Sequence, residues 1–334
     1  MATSDEAQQV DKMVAKIAAE AEKAIQTQGG SRVLFRVDAG ALREAMLTEL
    51  RDDVYRIVRG ERIAFSGLAL RDGGVDVRIT DAKDRERLLG KLMPPTEAPR
   101  GAALAVTDGG GGLIGLAPTD AAYAERLHQL VRDSIAMIQQ LLRNDGIRLA
   151  GLQPDGEDRI KTVLPGVTDP EPVIATLTRK RQVTFRLVDV SMTPELALKA
   201  SAPPTSEILY GFKDKTPYLL LKEAALGGDD IKDVMPGFDS ATQRPIASFR
   251  FNGRGARRFA HVTGENVGKP FAIVLDDTVL SVSAIREPIT GGSGQISGNL
   301  TLEEANSIAM LLRSGTPAGH LSVVERQAVE PAGK

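Results

Sequence analysis

Residues 249–315 decide the fold, and they read FRFNGRGARRFAHVTGENVGKPFAIVLDDTVLSVSAIREPITGGSGQISGNLTLEEANSIAMLLRSG. A strand at 246–251 leads into a helix, which Asn252 caps and Gly268 ends. Residues 271–282 are apolar on both sides of two aspartates, a pattern that predicts a hairpin. The segment therefore mixes strands and helices and indicates an α+β unit.

A helix with its own start signal follows the hairpin. Thr301 and Glu304 have the spacing of a capping box, ahead of an apolar helix at 301–314. The Gly-rich run 291–298 precedes it. A phosphate-binding loop places its glycines directly at a helix N-terminus, whereas here the helix starts later and no Lys-Ser/Thr pair follows. We therefore predict a tight connection between strands, with positive φ values.

The chain N-terminal to this segment alternates strands and helices. The patterns predict strands at 32–38, 63–70, 75–80, 102–107, 113–118, 147–152, 158–164 and 182–190, and helices at 41–58, 84–92, 120–144 and 170–179. These elements give a β-α-β-β-α-β order that nearly repeats, which favours two ferredoxin-like units. Residues 191–215 are rich in Pro, Ser and Lys and indicate a boundary. Residues 321–329 alternate like a last strand, which could pair back with the first domain.

Residues 3–28 predict an amphipathic helix. Its apolar positions recur at helical spacing, and they are Val10, Met13, Val14, Ile17, Ala21 and Ile25. Such a face packs on its own domain or on a partner helix more often than on a membrane surface. The first residues carry acids and lack the apolar core of a signal peptide. No stretch of the sequence is apolar for long enough to span a bilayer.

Composition excludes several classes of function. Lys and Arg number 42 against 44 Asp and Glu, a net charge of -2, and a nucleic-acid binder would show a basic excess. The absence of cysteine excludes disulfides, iron–sulfur clusters and thiol catalysis.

Ionisable residues form no recognisable active site. Glu125 and His128 have di-iron spacing without the partner helices that such a site needs. His261 shares a helix face with Glu265 but lacks a third ligand, and His320 lies in a loop. The adjacent acidic pairs are read as turn or helix-start residues, and they are Asp229-Asp230, Asp276-Asp277 and Glu303-Glu304. We expect no catalytic, cofactor-binding or metal-binding residue. We also expect that the protein is not an enzyme.

Residues 249–315 resemble the large periplasmic domain of the SecD family of protein-export translocase subunits. The matching positions are Phe249, Phe251, Gly255, Ala256, Phe259, Thr263, Asn266 to Pro270, Ala272 to Asp276, Glu287 to Gly292, Gly294 to Gly298, Glu304, Ala305 and Leu311 to Gly315. Weaker matches are Gln28-Gly29-Gly30, Gly156 to Ile160, Leu164 to Val167 and Phe185 to Asp189. The resemblance covers about residues 25–330 and excludes the family's membrane helices.

The resemblance implies a division into domains. After the amphipathic helix at 1–28 it implies a base of ferredoxin-like units at 29–190, an inserted α+β head at 192–318, and a strand at 319–330 that returns to the base. In the family, the head is thought to swing against the base.

The same resemblance implies a function at the periplasmic face of the bacterial inner membrane. A domain of this kind would bind unfolded preprotein as it emerges from the channel, along a strand edge or in an apolar groove. The implied partners are SecF and the SecYEG channel, with no cofactor and no nucleic acid; the residues that contact polypeptide are unknown.

Departures from the family pattern define an alternative. Gln26 replaces an Asp of the family's glycine motif, and Gln139-Gln140 replaces a basic pair. The head exit, residues 316–320, is less Pro-rich, and Asp276-Asp277 replaces the hairpin's Asp-Gly. The alternative is a stand-alone paralogue that acts as an interaction module without proton coupling.

Overall fold

The structure is a computed structural model that describes residues 4–93, 103–144, 146–147, 150–212, 215–298, 300–316 and 320–332, with backbone only for residues 4–13, 144 and 314. The α-helices are α1 Ser4–Gln28, α2 Ala39–Gly60, α3 Ala82–Leu92, α4 Asp120–Asn144, α5 Glu171–Thr178, α6 Pro194–Ala200, α7 Gly253–Glu265 and α8 Leu302–Ser314. The strands are β1 Gly30–Val37, β2 Ser66–Arg71, β3 Gly74–Arg78, β4 Leu104–Gly110, β5 Leu113–Pro118, β6 Gly151–Asp155, β7 Arg159–Pro165, β8 Val183–Val188, β9 Ser206–Gly211, β10 Pro217–Gly227, β11 Ile231–Phe238, β12 Pro245–Phe251, β13 Pro270–Leu275, β14 Thr278–Ala284, β15 Ser293–Ile296 and β16 Leu321–Val329. The predicted α+β class is confirmed. None of the helices described is both long enough and apolar enough to span a lipid bilayer.

The chain divides into two compact units. The first unit comprises Met1–Leu42, Ala124–Lys180 and Pro317–Lys334. It contains a four-stranded antiparallel sheet in the order β16-β1-β7-β6. Helix α1 packs on β6 and β7, and its buried residues include Ala21 and Ile25, which contact Val163. Of the apolar face predicted for this helix, Ala21 and Ile25 are thus buried in its own unit and Val14 and Ile17 are half-buried, while the side chains of Val10 and Met13 lie outside the described part.

The two ferredoxin-like units predicted from consecutive segments are not confirmed. Strand β1 lies in the sheet of the first unit, whereas β2, β3, β5 and β4 form a separate four-stranded antiparallel sheet in that order. Strand β8, predicted to close the second unit, lies in a barrel. The alternation of strands and helices was read correctly, but the order of elements along a chain does not determine which strands share a sheet.

The second unit comprises Arg43–Tyr123 and Arg181–Thr316. We call residues 43–123 the small subdomain and residues 181–316 the head segment. The small subdomain packs α2 and α3 on the β2-β3-β5-β4 sheet around an apolar core that includes Val54, Val75 and Leu88.

The head segment combines a closed barrel with a short sheet. Strands β10-β8-β13-β14-β9 close the barrel, and β11-β12-β15 form a three-stranded antiparallel sheet. One apolar core joins them, and Phe185 lies at its centre with its ring centroid 4.9 Å from that of Phe251 and 5.3 Å from that of Phe249. Helices α7 and α8 cover this core through residues such as Phe259 and Leu312.

Several local signals of the head segment are confirmed. Asn252 accepts a hydrogen bond from the Gly255 N–H and caps α7, and β13 and β14 form the predicted hairpin. Residues 191–215, where the sequence predicted a boundary, contain α6 and β9. Thr193 accepts a bond from the Leu196 N–H, with a proline at the helix start, so this short helix had start signals of its own.

Candidate functional site

A groove of about 370 Å³ lies on the outer face of the β11-β12-β15 sheet. Its lining residues are Asp233, Met235, Ser248, Phe249, Arg250, Ser293, Gly294 and Gln295. This volume is within the range of about 300–1,000 Å³ that ligand sites of proteins occupy. The groove is open to solvent and combines apolar residues with charged, hydroxyl and amide groups.

The sheet register brings the groove side chains together in two rows. Asp233 pairs with Arg250, which pairs with Ser293 on the third strand. Because side chains alternate between the faces of a strand, the next outward row lies two residues along. That second row contains Met235, opposite Ser248, which lies opposite Gln295 in turn. Neighbouring residues such as Phe249 face the core instead.

A turn with a strongly acidic carboxyl closes one end of the second row. Gln295 Nε2 donates to Asp239 Oδ2 at 3.0 Å, and the N–H and hydroxyl of Thr242 donate to Oδ1 at 2.8 Å each. The hydrogen bond from Gln295, followed by those from Thr242, lowers the pKa of Asp239 from 3.8 to about 2. The carboxyl is therefore ionised at neutral pH, and it holds Gln295 in position beside the groove.

The edges of this sheet are poorly suited to pairing with another strand. Strand β11 contains Pro236, which has no N–H to donate. The carbonyl of Val234 on the same strand accepts from Arg313 Nε at 2.7 Å. The opposite edge, β15, is four residues long. Short edge strands and prolines hinder the pairing of a further strand with a sheet edge. The open face of this sheet is therefore more accessible to a ligand than its edges.

A buried carboxylate supports the strands beneath the groove. Asp230 is 1% exposed and precedes β11. It accepts from Arg254 Nε at 2.9 Å, from Arg258 at 3.2 Å and from the Gly227 N–H at 3.2 Å. The sequence indicated only a turn residue here, because its two arginines lie 24 and 28 positions away. The carboxylate joins the start of β11 to α7.

The Gly-rich run is a connection between strands and also contains one. Gly292 and Gly298 have φ values of 63° and 116°, as the predicted connection requires. Residues 293–296 between them form β15, which sequence patterns missed because glycine is uncommon in strands. The run therefore contributes one side of the groove.

The histidines and the other acidic pairs are dispersed. His128 is exposed on α4, His261 is exposed on α7 with Nε2 3.5 Å from Glu265, and His320 is half-buried. Asp276 adopts a φ of 52° in the β13–β14 turn and accepts from the Gln182 N–H, while Glu304 completes the capping box of α8. Among the described residues, no three metal-binding side chains lie close enough together to hold an ion.

A protein-family model matches part of the head segment. The family model for the SecDF P1 head subdomain matches residues 206–317. The chain is 30% identical over 308 residues to protein translocase subunit SecD of Rickettsia bellii, a match that covers 91% of the chain and 58% of that protein. It is 29% identical over 317 residues to the SecD subunit of Calditerrivibrio nitroreducens, covering 91% of the chain and 60% of that protein. The chain thus spans less than two thirds of these relatives.

Two solved structures with similarity to the chain are described as SecDF. One, described as "Structure and function of a membrane component SecDF that enhances protein export", is 28% identical, covers 59% of the chain and 92% of its own chain, and has a TM-score of 0.34. Another is SecDF of Thermus, described as a translocon-associated membrane protein. It is 20% identical and covers 96% of the chain and 36% of its own chain, with a TM-score of 0.42.

Proposed function

We propose that this chain, a member of the SecD/SecDF family, assists protein export by binding translocating polypeptide outside the membrane channel. The proposal places the chain at the periplasmic face of the inner membrane, with SecF and the SecYEG channel as partners. The observation that carries it is the groove on the β11-β12-β15 sheet, because it lies inside the segment that matches the head subdomain.

The composition of the groove suits an unfolded chain of variable sequence. Met235 is 47% exposed, and a flexible thioether adapts to side chains of many shapes. Asp233 and Arg250 offer one charge of each sign, so neither acidic nor basic segments are rejected. Ser293 and Gln295 are side chains that hydrogen-bond the peptide groups which an extended polypeptide presents.

Substitution of Met235 tests this proposal. We expect Met235→Ser to weaken binding of a reduced, carboxymethylated and therefore permanently unfolded polypeptide about fivefold, because burial of the thioether side chain contributes about 1 kcal/mol to such a contact. Fluorescence anisotropy of the labelled polypeptide measures the affinity. Thermal unfolding confirms that the variant is folded, as expected for an exposed position.

Val267 provides the matched control. It is also 47% exposed and belongs to the head segment, but it does not line the groove. Val267→Ser should bind the polypeptide like the unsubstituted protein. If the unsubstituted protein shows no affinity while its fold is intact, the proposed function is wrong; if both variants weaken binding equally, the groove is not the site.

We further propose that the first unit is a ferredoxin-like base assembled from distant segments. Its elements follow the order β1, α4, β6, β7, α5 and β16, which is β-α-β-β-α-β once the intervening residues are treated as an insertion. The expected domain bounds, 29–190 with 319–330 for the base and 192–318 for the head, stay a prediction.

A further inference from the structure

The small subdomain contacts the head segment through polar groups. Lys232 on β11 places Nζ 3.6 Å from Glu49 and 3.8 Å from Asp53, both on α2. The guanidinium of Arg257 on α7 lies 5.7 Å from the ring centroid of Tyr55. We call these residues, together with Asp52 and Gly253 described next, the polar contact.

In the part of the chain that the structure describes, the small subdomain and the head segment do not share an apolar core. The core of the small subdomain and the core of the head segment share no residue among those described. Each part therefore buries its own apolar side chains, and either core would remain intact if the two parts separated. A connection of this kind depends on charge, and charge interactions at a surface weaken as salt is added.

Asp52 belongs to the polar contact, and its burial is energetically unfavourable. Asp52 is 7% exposed, and its Oδ1 accepts from Arg51 at 2.8 Å. Its Oδ2 is buried without a hydrogen-bond partner in the described structure. The side chain lies against the first residue of α7: a Cβ added to Gly253 would lie 2.8 Å from both Cβ and Oδ2 of Asp52.

The interactions of the polar contact include some that favour the docked arrangement and one that opposes it. The positive end of the α7 dipole attracts the Asp52 carboxylate, and Lys232 attracts two further carboxylates of α2. Against this, a buried oxygen without a hydrogen-bond donor would be solvated if the two parts separated. A surface ion pair typically contributes about 0–1 kcal/mol and an unpaired buried oxygen costs about 1–3 kcal/mol, so the favourable and unfavourable contributions are comparable in size.

We propose that the small subdomain, residues 43–123, docks reversibly on the head segment through the polar contact, with ionic strength and the close approach of Asp52 to Gly253 setting the docked fraction. The proposal does not rest on polypeptide binding, and its test does not measure binding. Its function would be to release the acidic face of α2 from β11 and α7 without unfolding either part.

Spin labels measure the docked fraction directly, because the chain contains no cysteine. Lys83→Cys in α3 and Val267→Cys after α7 place one nitroxide on each part at exposed positions. Double electron–electron resonance should give one narrow distance at about 0.05 M salt. A second, longer distance should grow at about 0.5 M salt, where the Debye length falls to about 4 Å.

Two substitutions in the labelled protein should increase the undocked fraction at low salt at least threefold. Gly253→Ala adds a methyl group that would collide with the Asp52 side chain. It leaves α7 intact, because alanine is a better helix former than glycine. Lys232→Met removes the ion pairs. The controls are Gly264→Ala, whose Cβ would lie 4.0 Å from Pro288, and Lys91→Met, whose ion pair with Glu61 lies inside the small subdomain.

The outcomes separate the proposal from a rigid or a permanently loose arrangement. Undocking by Gly253→Ala, by Lys232→Met and by salt, with both controls unchanged, supports reversible docking. One narrow distance in every protein at both salt concentrations overturns it. A broad distribution in the labelled parent at low salt also overturns it, because no docked state would then exist.

Discussion

At the scale of single residues, the head segment depends on charged groups whose partners are distant in sequence. Asp230 is the clearest case, since Arg254 and Arg258 reach it from α7 while both remain half exposed. The sequence could not predict this, because an aspartate beside a glycine-rich turn has the same pattern whether it is solvated or buried. Asn252 was predictable because a capping residue is recognised from its immediate neighbours.

We predict that Asp230→Asn lowers the free energy of unfolding by about 2 kcal/mol. A hydrogen bond to a charged group contributes about 1.5–3 kcal/mol to the free energy of unfolding. The exposure of both arginines reduces that contribution here. Urea unfolding measures the change. Asp229→Asn is the control, because Asp229 is exposed; equal losses in the two variants would contradict the role given to Asp230.

The pKa of Asp239 predicts an acid-sensitive turn beside the groove. Its folded-state value is lowered from 3.8 to about 2, so its contribution to stability is complete above pH 3.8 and is lost as the pH falls toward 2. The difference in unfolding free energy between the unsubstituted protein and Asp239→Asn should therefore be constant near neutral pH and shrink over that window. A difference that does not change with pH would show that Gln295 and Thr242 do not stabilise the ionised form.

At the scale of elements, capped helices and hairpins were predictable and irregular strands were not. Thr301 and Glu304 gave the start of α8, and apolar runs gave β13 and β14. Strand β11 escaped detection because Pro236 interrupts its alternation, and β15 because it lies within a glycine-rich run. Since the groove is built on these two strands and β12, its location could not have been deduced from the sequence.

The capping box of α8 allows a test at this scale. The Glu304 N–H donates to the Thr301 hydroxyl, and Glu304 Oε2 accepts from the Thr301 N–H at 2.8 Å. We expect Thr301→Ala to cost about 1 kcal/mol of unfolding free energy, and Thr301→Ser, which keeps the hydroxyl, to cost much less. Chemical denaturation provides the measurement; an alanine variant as stable as the serine variant would mean that the cap contributes nothing.

At the scale of the whole molecule, each unit is assembled from segments that are far apart in the chain. In the first unit β1 pairs with β16, so that Gly30 lies opposite Val329. In the second unit, the small subdomain and the head segment are separated by residues 124–180. Pairings over such distances require long loops to close, and local patterns carry little information about them. The α+β class was therefore predictable, whereas the grouping of strands into sheets was not.

The two ends of the head segment meet at a glycine. A Cβ at Gly315, just after α8, would lie 2.3 Å from a methyl of Val183 in the first strand of the segment, and one at Gly228 would lie 2.0 Å from the Gly315 carbonyl oxygen. Adjacent ends are what allows one protein domain to be inserted into another. Residues 181–316 thus have the geometry of a domain that can be inserted into another protein. A host chain opened at one surface turn could accept them without a large separation of the two host residues that flank the insertion.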